Sequence, residues 1–223
     1  MAVNNRVAMR VGVKDFISGG NFASESILPY EWVYDARDLR HLRWIHGRHG
    51  TGRLNGFPRL NAFQSFFWLP VMRGVRSYRI LDDAEYEWAV AKASLRKNFG
   101  WKDYGGKHHE SRFTKFFQSY YLPEKFGYDK RRPHFSSLIV AGQMTRASAL
   151  EKLAQPLYEG RELKRDRDYF LKKLRFTQQE WDDIMQPTPC RHTQLPRSRW
   201  GREFRRRWLR RLDSMGIRLP RNT

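Results

Sequence analysis

Apolar positions along the chain fall into short clusters, and most of them carry the helical spacing of three and four residues. Val11 to Ile17 predicts a short strand that runs directly into Ser18-Gly19-Gly20-Asn21. Leu39, Leu42 and Ile45 predict a helix over 35–46, with Asp35 placed to cap it. Gly47, Gly50, Gly52 and Gly56 then predict an irregular linker. Phe63 to Val71 is apolar and aromatic, and Pro70 argues against a helix running through its end. Residues 82–98 predict a helix capped by Asp82 or Asp83, with Tyr86, Val90 and Ala93 along one side.

After Gly100, Gly105 and Gly106 the pattern is mainly helical as far as residue 186. Helices are expected over 111–121, 135–141, 146–153 and 168–174. Thr177 and Glu180 have the spacing of a capping box for a further helix through Ile184. The expected organisation is a partial α/β segment over 1–80, a mainly helical region over 81–186, and an Arg-rich, flexible tail over 187–223.

Charge changes the picture. The 223 residues carry a formal net charge of +20, from 43 Lys and Arg against 23 Asp and Glu. Such an excess attracts polyanions: nucleic acid, nucleotides, phosphosugars or an anionic membrane surface. Part of it belongs to the tail, where Arg197, Arg199, Arg202 and Arg205 open an arginine series opposed by Glu203 and Asp213. The aromatic content, 15%, is too high for a disordered charged polymer. A single cysteine, Cys190, excludes an internal disulfide framework. No apolar run approaches the length of a membrane span, and the start makes a poor signal peptide, so a cytoplasmic protein is expected.

Three stretches carry candidate chemistry. Ser18-Gly19-Gly20-Asn21 lets backbone amides approach an anion, and it is equally a plain turn after a strand. Glu25 follows as a cation or hydroxyl ligand, or as a solvated loop acid. Gly105-Gly106-Lys107-His108-His109-Glu110 offers a cation for phosphate and a His–Glu pair for proton transfer near neutral pH; a solvated surface turn is the plain alternative. Adjacent histidines do not share a helix face, so no metal site is expected there. Lys130-Arg131-Arg132-Pro133-His134 suits a diphosphate or nucleic-acid phosphates, or is a basic surface knot.

Taken together, ISGGNFASESILP, YDARDLRHLRWIH, the long run FGWKDYGGKHHESRFTKFFQSYYLPEKFGYDKRRPHFSSLIVAGQMTR and the ALEKL helix resemble the C-terminal portion of the N-acetyl sugar amidotransferases, over roughly residues 11–185. These enzymes belong to the PP-loop ATP pyrophosphatase group and act in lipopolysaccharide and O-antigen biosynthesis. The resemblance implies the C-terminal part of an α/β, adenine nucleotide alpha hydrolase-like fold followed by a mainly helical region. It implies ATP-dependent conversion of a nucleotide-linked sugar's N-acetyl group to acetamidino. Glutamine-derived ammonia would come from a glutaminase with an ammonia-channel subunit. ATP and Mg are implied for the complete enzyme, with no cofactor for this chain alone and no transmembrane partner.

The resemblance places Lys107, His109 and Glu110 as catalytic candidates. It places Ser18, Gly19, Gly20, Asn21, Glu25, Lys102, Asp103, Lys130, Arg131, Arg132 and His134 as sugar- or nucleotide-binding candidates. The family's phosphate loop, SGGKDS, is not among these 223 residues. The expectation is a polypeptide inactive by itself, completed by an N-terminal PP-loop half encoded separately, or else a non-functional remnant. A basic nucleic-acid-binding protein is the alternative from a different class, and nonspecific nucleic-acid binding through the tail is compatible with either.

Overall fold

The computed structural model describes residues 2–33, 38–107, 109–196, 198, 207 and 211. Along the chain come α1 (Ala2–Val11), β1 (Asp15–Ile17), α2 (Phe22–Glu25), α3 (Leu39–His49), a π-helical segment (Gln64–Met72), β2 (Arg76–Tyr78) and α4 (Trp88–Phe99). Then follow α5 (Arg112–Phe116), a second π-helical segment (Phe117–Tyr121), α6 (Leu122–Phe126), α7 (Arg131–Val140), α8 (Arg146–Ala154), α9 (Gly160–Leu174) and α10 (Gln178–Met185). A small β/α region thus precedes a mostly helical one. The contacts divide the chain into two units: Met1–Gly19 with Val33–Ile80 and the chain from Arg191, and Gly20–Trp32 with Leu81–Cys190.

In the first unit the expected strand over 11–17 is shorter, because Val11 closes a helix. Val3, Val7 and Val11 repeat at helical spacing, and Gly12 breaks the run with φ of 76°, a left-handed conformation that suits glycine. β1 and β2 pair in parallel, Asp15 opposite Arg76 and Ile17 opposite Tyr78. The Arg76 guanidinium grips Asp15 through two bonds of 2.8 and 3.1 Å. That hydrogen bond holds the Asp15 carboxyl below its usual range.

α3 begins after Asp38, whose carboxylate accepts from the Arg40 and His41 amides; Asp35, the cap expected from sequence, lies outside the described residues. The helix runs on through Gly47, which was expected in the linker. Pro70 sits inside the first π-helical segment rather than ending it. Arg73 N–H donates to Trp68 O, five residues back, at 3.0 Å, the wider spacing of a π-helix.

The second unit is built around aromatic rings. Residues 112–126 form one continuous helical stretch through α5, the π-helical turn and α6. Phe116, 0% exposed, meets Phe170 of α9 at 4.6 Å and Trp181 of α10 at 5.7 Å between ring centroids. Leu171 completes the buried cluster, with Tyr120, Tyr121, Leu163 and Met185 against it. α9 starts at Gly160, eight residues before the sequence pattern placed it. Leu163, Phe170 and Leu171 share its inner face with a buried acid, Asp166, and that acid breaks the apolar periodicity.

Other boundaries shift for similar reasons. α4 starts at Trp88 rather than Asp82, because its first amide is capped from a distance by Gln143 Oε1 at 2.9 Å. Asp82 instead accepts from the Phe22 amide at 2.7 Å. α7 starts at Arg131, four residues early, with Pro133 in its first turn, where a missing N–H costs nothing. The Thr177–Glu180 capping box forms as expected.

The aromatic cluster sets the stability of the second unit. Trp181→Ala is expected to destabilise it by about 3–5 kcal/mol. Urea unfolding followed by circular dichroism measures this, and a loss under 1 kcal/mol contradicts the assignment of Trp181 to the core.

Candidate functional site

The site grows from the short helix α2. Asn21 stands before it in an extended conformation, and its side-chain oxygen accepts from the Ser24 amide at 2.8 Å. Asn21 and Ser24 are both buried. This cap turns the Ser24 carbonyl toward two side chains from much later in the chain. Lys107 Nζ donates to it at 3.4 Å, and His134 Nδ1 lies 3.1 Å from it. A carbonyl oxygen accepts and never donates, so Nδ1 carries a proton in this contact, and in a neutral ring Nε2 would be the basic nitrogen. Trp88 holds that ring edge-on, with centroids 5.4 Å apart.

One turn along α7, Ser137 Oγ accepts the Ile27 amide at 3.0 Å and donates to Pro133 O at 2.9 Å. The segment around α2 is therefore clasped to α7 at two levels. Trp32 stacks on Tyr128 at 4.7 Å and fastens its far end.

Lys107 also forms an ion pair with Glu25 at 2.8 Å. Burial, and then the neighbouring Lys107 charge, pull the Lys130 ammonium below the ordinary lysine range. Burial and the Glu25 carboxylate push the Tyr86 phenol up. Three stretches far apart in sequence thus bring Asn21, Glu25, Lys107, Lys130 and His134 into one charged cluster.

The remaining candidates sit elsewhere. The Ser18 amide donates to Tyr78 O at 2.8 Å and extends the sheet of the first unit, where Gly19 also lies; Gly20 opens the second unit. Asp103 pairs with Lys92 and Arg96 of α4 and accepts the Gly105 amide, which anchors the loop before Lys107. The Lys92 hydrogen bond, ahead of the other contacts, lowers its carboxyl's pKa. Lys102, Glu110 and Arg132 are exposed.

Arg131 reaches Asp129 at 2.8 Å, and the carbonyls of Lys152, Leu153 and Gln155 at 2.8–3.2 Å. It closes the carboxyl end of α8. His109 Nε2 lies 3.1 Å from Ser119 Oγ in the second π-helical turn. A Cβ on Gly106 would fall 2.5 Å from the His109 ring, so glycine is required for that packing. His108 lies outside the described residues.

Residues 110–207 match the family described as LPS biosynthesis protein WbpG-like, C-terminal domain. The match to this WbpG-like domain takes in Glu110, Lys130, Arg131, Arg132 and His134 with the whole aromatic core; Asn21, Glu25 and Lys107 lie before it. No curated protein and no solved structure matches the chain. No helix among the described residues is long and apolar enough to cross a membrane. Among the described residues no three His, Cys, Asp or Glu side chains gather in one place.

Sequence reasoning missed Ser24, Ser137 and Trp88. A serine inside FASES and another inside FSSL give no signal by themselves; their roles exist because distant backbone groups need partners.

Titration of Lys130 reports on the cluster. Its folded-state pKa lies below the ordinary lysine value of 10.5, so the unfolded chain binds more protons between the two. Stability from this group therefore rises as pH climbs from the folded pKa toward the unfolded one. Lys107→Met is expected to move the Lys130 titration upward and to narrow that window. Nitrogen-15 NMR of the lysine ammonium groups measures it, and an unmoved titration separates the two lysines.

Proposed function

We propose that this chain supplies the sugar-facing part of an ATP-dependent N-acetyl sugar amidotransferase of lipopolysaccharide and O-antigen biosynthesis. The reaction is conversion of the N-acetyl group of a nucleotide-linked sugar to acetamidino. The observation that supports it most is the convergence of Glu25 and Lys107 with Lys130 and His134, the latter two within the stretch that matches an LPS biosynthesis family.

ATP supplies the activation that turns the amide oxygen into a phosphate-ester leaving group. Ammonia forms the new C–N bond, the C–O bond breaks, and the departing oxygen leaves on the phosphate. The chain's own residues handle charge and protons. Lys107 and Lys130 carry positive charge that suits a phosphate of the sugar nucleotide. Glu25 neutralises part of it and orients Lys107. The His134 ring, held by the Ser24 carbonyl at Nδ1, presents Nε2 as the base that takes a proton from the attacking nitrogen. The ring edge of Trp88 limits the rotation of that base.

The test combines the purified chain with a protein bearing an SGGKDS loop, ATP, a nucleotide-linked N-acetyl sugar and ammonium. Mass spectrometry is expected to show oxygen replaced by NH on the sugar, with pyrophosphate released. The chain by itself is expected to release none. His134→Gln is expected to lower kcat by about a hundredfold or more while leaving the fold intact. An unmodified sugar in the complete mixture, or robust turnover by the chain by itself, overturns the reading.

A further inference from the structure

β1 and β2 form a two-stranded parallel sheet in the first unit. The ladder runs through alternate residues of β1. Arg76 N–H donates to Lys14 O at 2.8 Å, and Ser18 N–H donates to Tyr78 O at 2.8 Å. A parallel strand bonds one neighbour through every second residue and turns the groups in between to its other edge. The N–H and C=O of Asp15 and Ile17 therefore point away from β2, and no hydrogen bond reaches them among the described residues. On β2 the corresponding residue, Ser77, has an interaction of its own, so the open edge is that of β1.

One face of the sheet is open as well. The register puts Asp15 and Ile17 on the same side as Arg76 and Tyr78. Ile17 is 75% exposed, and Val13 and Tyr78 are 44% exposed. Sheet edges that stay unpaired are ordinarily blunted by charge, proline or a bulge. β1 carries an exposed isoleucine there, and its one charge, Asp15, is already neutralised by Arg76 at 2.8 Å. Parallel sheets are found almost only with more strands and with both faces covered.

Charge selects the occupant. Residues 2–19 and 38–80 of this unit hold eleven Lys and Arg against two carboxylates, Asp15 and Asp38. Asp38 is answered too, by the amides of Arg40, His41 and Ser198. A second copy of the chain brings the same positive surplus and is repelled. A nucleic acid or a lipid surface answers the charge but leaves a row of alternating backbone donors and acceptors unpaired. An extended polypeptide with acidic side chains answers both.

We infer that the outer edge of β1 binds an extended segment of a separate, acidic protein, which adds a third strand to the sheet. Its backbone pairs with the N–H and C=O of Asp15 and Ile17, and its apolar side chains cover Ile17 and Tyr78. The inference rests on the reading above for the identity of that partner, the protein bearing the SGGKDS loop, and on β1 for the way it is held.

The test mixes the full chain with an acidic SGGKDS-bearing protein and follows calorimetric titration and amide hydrogen exchange. The Asp15 and Ile17 amides are expected to exchange at least about tenfold more slowly in the complex than in the free chain. Affinity is expected to fall at least about tenfold between about 0.05 M and about 0.5 M salt. Ile17→Pro removes an N–H that β2 does not use, and proline is tolerated on a sheet edge. It is expected to weaken the complex at least about a hundredfold with the circular dichroism of the parent chain retained. Ile17→Lys keeps the backbone intact at an exposed position and is expected to weaken it about tenfold. No complex, a complex in which both amides exchange as in the free chain, or unchanged affinity in both variants overturns the proposal. Amidine formed while the two amides stay unprotected overturns the strand pairing and leaves the reaction standing. Protected amides without amidine support the pairing and count against the reaction.

Discussion

One carbonyl oxygen organises the charged cluster. The Ser24 carbonyl faces inward because Asn21 caps the single turn of α2, and it receives Lys107 and His134 from segments more than eighty residues away. A buried carbonyl without donors costs about as much as a lost hydrogen bond, so the local turn and the long-range contacts stabilise each other. Remove the cap and the acceptor turns away; remove the donors and the turn is left with an unsatisfied group. The same contact puts a proton of His134 on Nδ1, which links the folding of this loop to the tautomer of that ring.

The cluster needs a rigid support, and the aromatic core provides it. Phe116, Phe170 and Trp181 join the 112–126 helical stretch to α9 and α10. The π-helical turn in that stretch carries Ser119, which meets His109 just after the Gly106 loop. One continuous stretch thereby packs the core on one face and positions the Lys107 loop at its beginning. Burial of Asp166 among these rings is the exception to the apolar rule, and it is met by the Tyr158 hydroxyl at 3.2 Å and by Arg112 and Arg165 at 3.8 Å.

The cations divide into two kinds. Arg131 is enclosed by Asp129 and three carbonyls and closes a helix end, so its charge is answered within the fold. Lys130, its immediate neighbour, is partly desolvated and lies near the Lys107 ammonium, and both lower its pKa. An anion beside Lys107 and Lys130 would relieve that repulsion, whereas one beside Arg131 would have to compete with contacts already made. The +20 total is therefore a poor guide to where a ligand binds, since adjacent basic residues differ in what their surroundings already supply.

Local chemistry made several elements legible. The Thr177–Glu180 box and the mainly helical character of residues 111–186 follow from side chains that act within a few positions of themselves. Asn21, Glu25, Lys107, Lys130 and His134 were candidates among others that the structure places elsewhere. Tertiary structure alone decided how they meet. It started α4 at Trp88, through a glutamine fifty-five residues away, carried a helix past Pro70 by widening its turns, and hid the first half of α9 behind a buried acid. It also separated Lys130 from Arg131 in character. Short-range hydrogen bonds and periodicity are written in neighbouring residues. Burial, desolvation and the satisfaction of distant backbone groups depend on what the chain brings alongside, which no local stretch of sequence specifies.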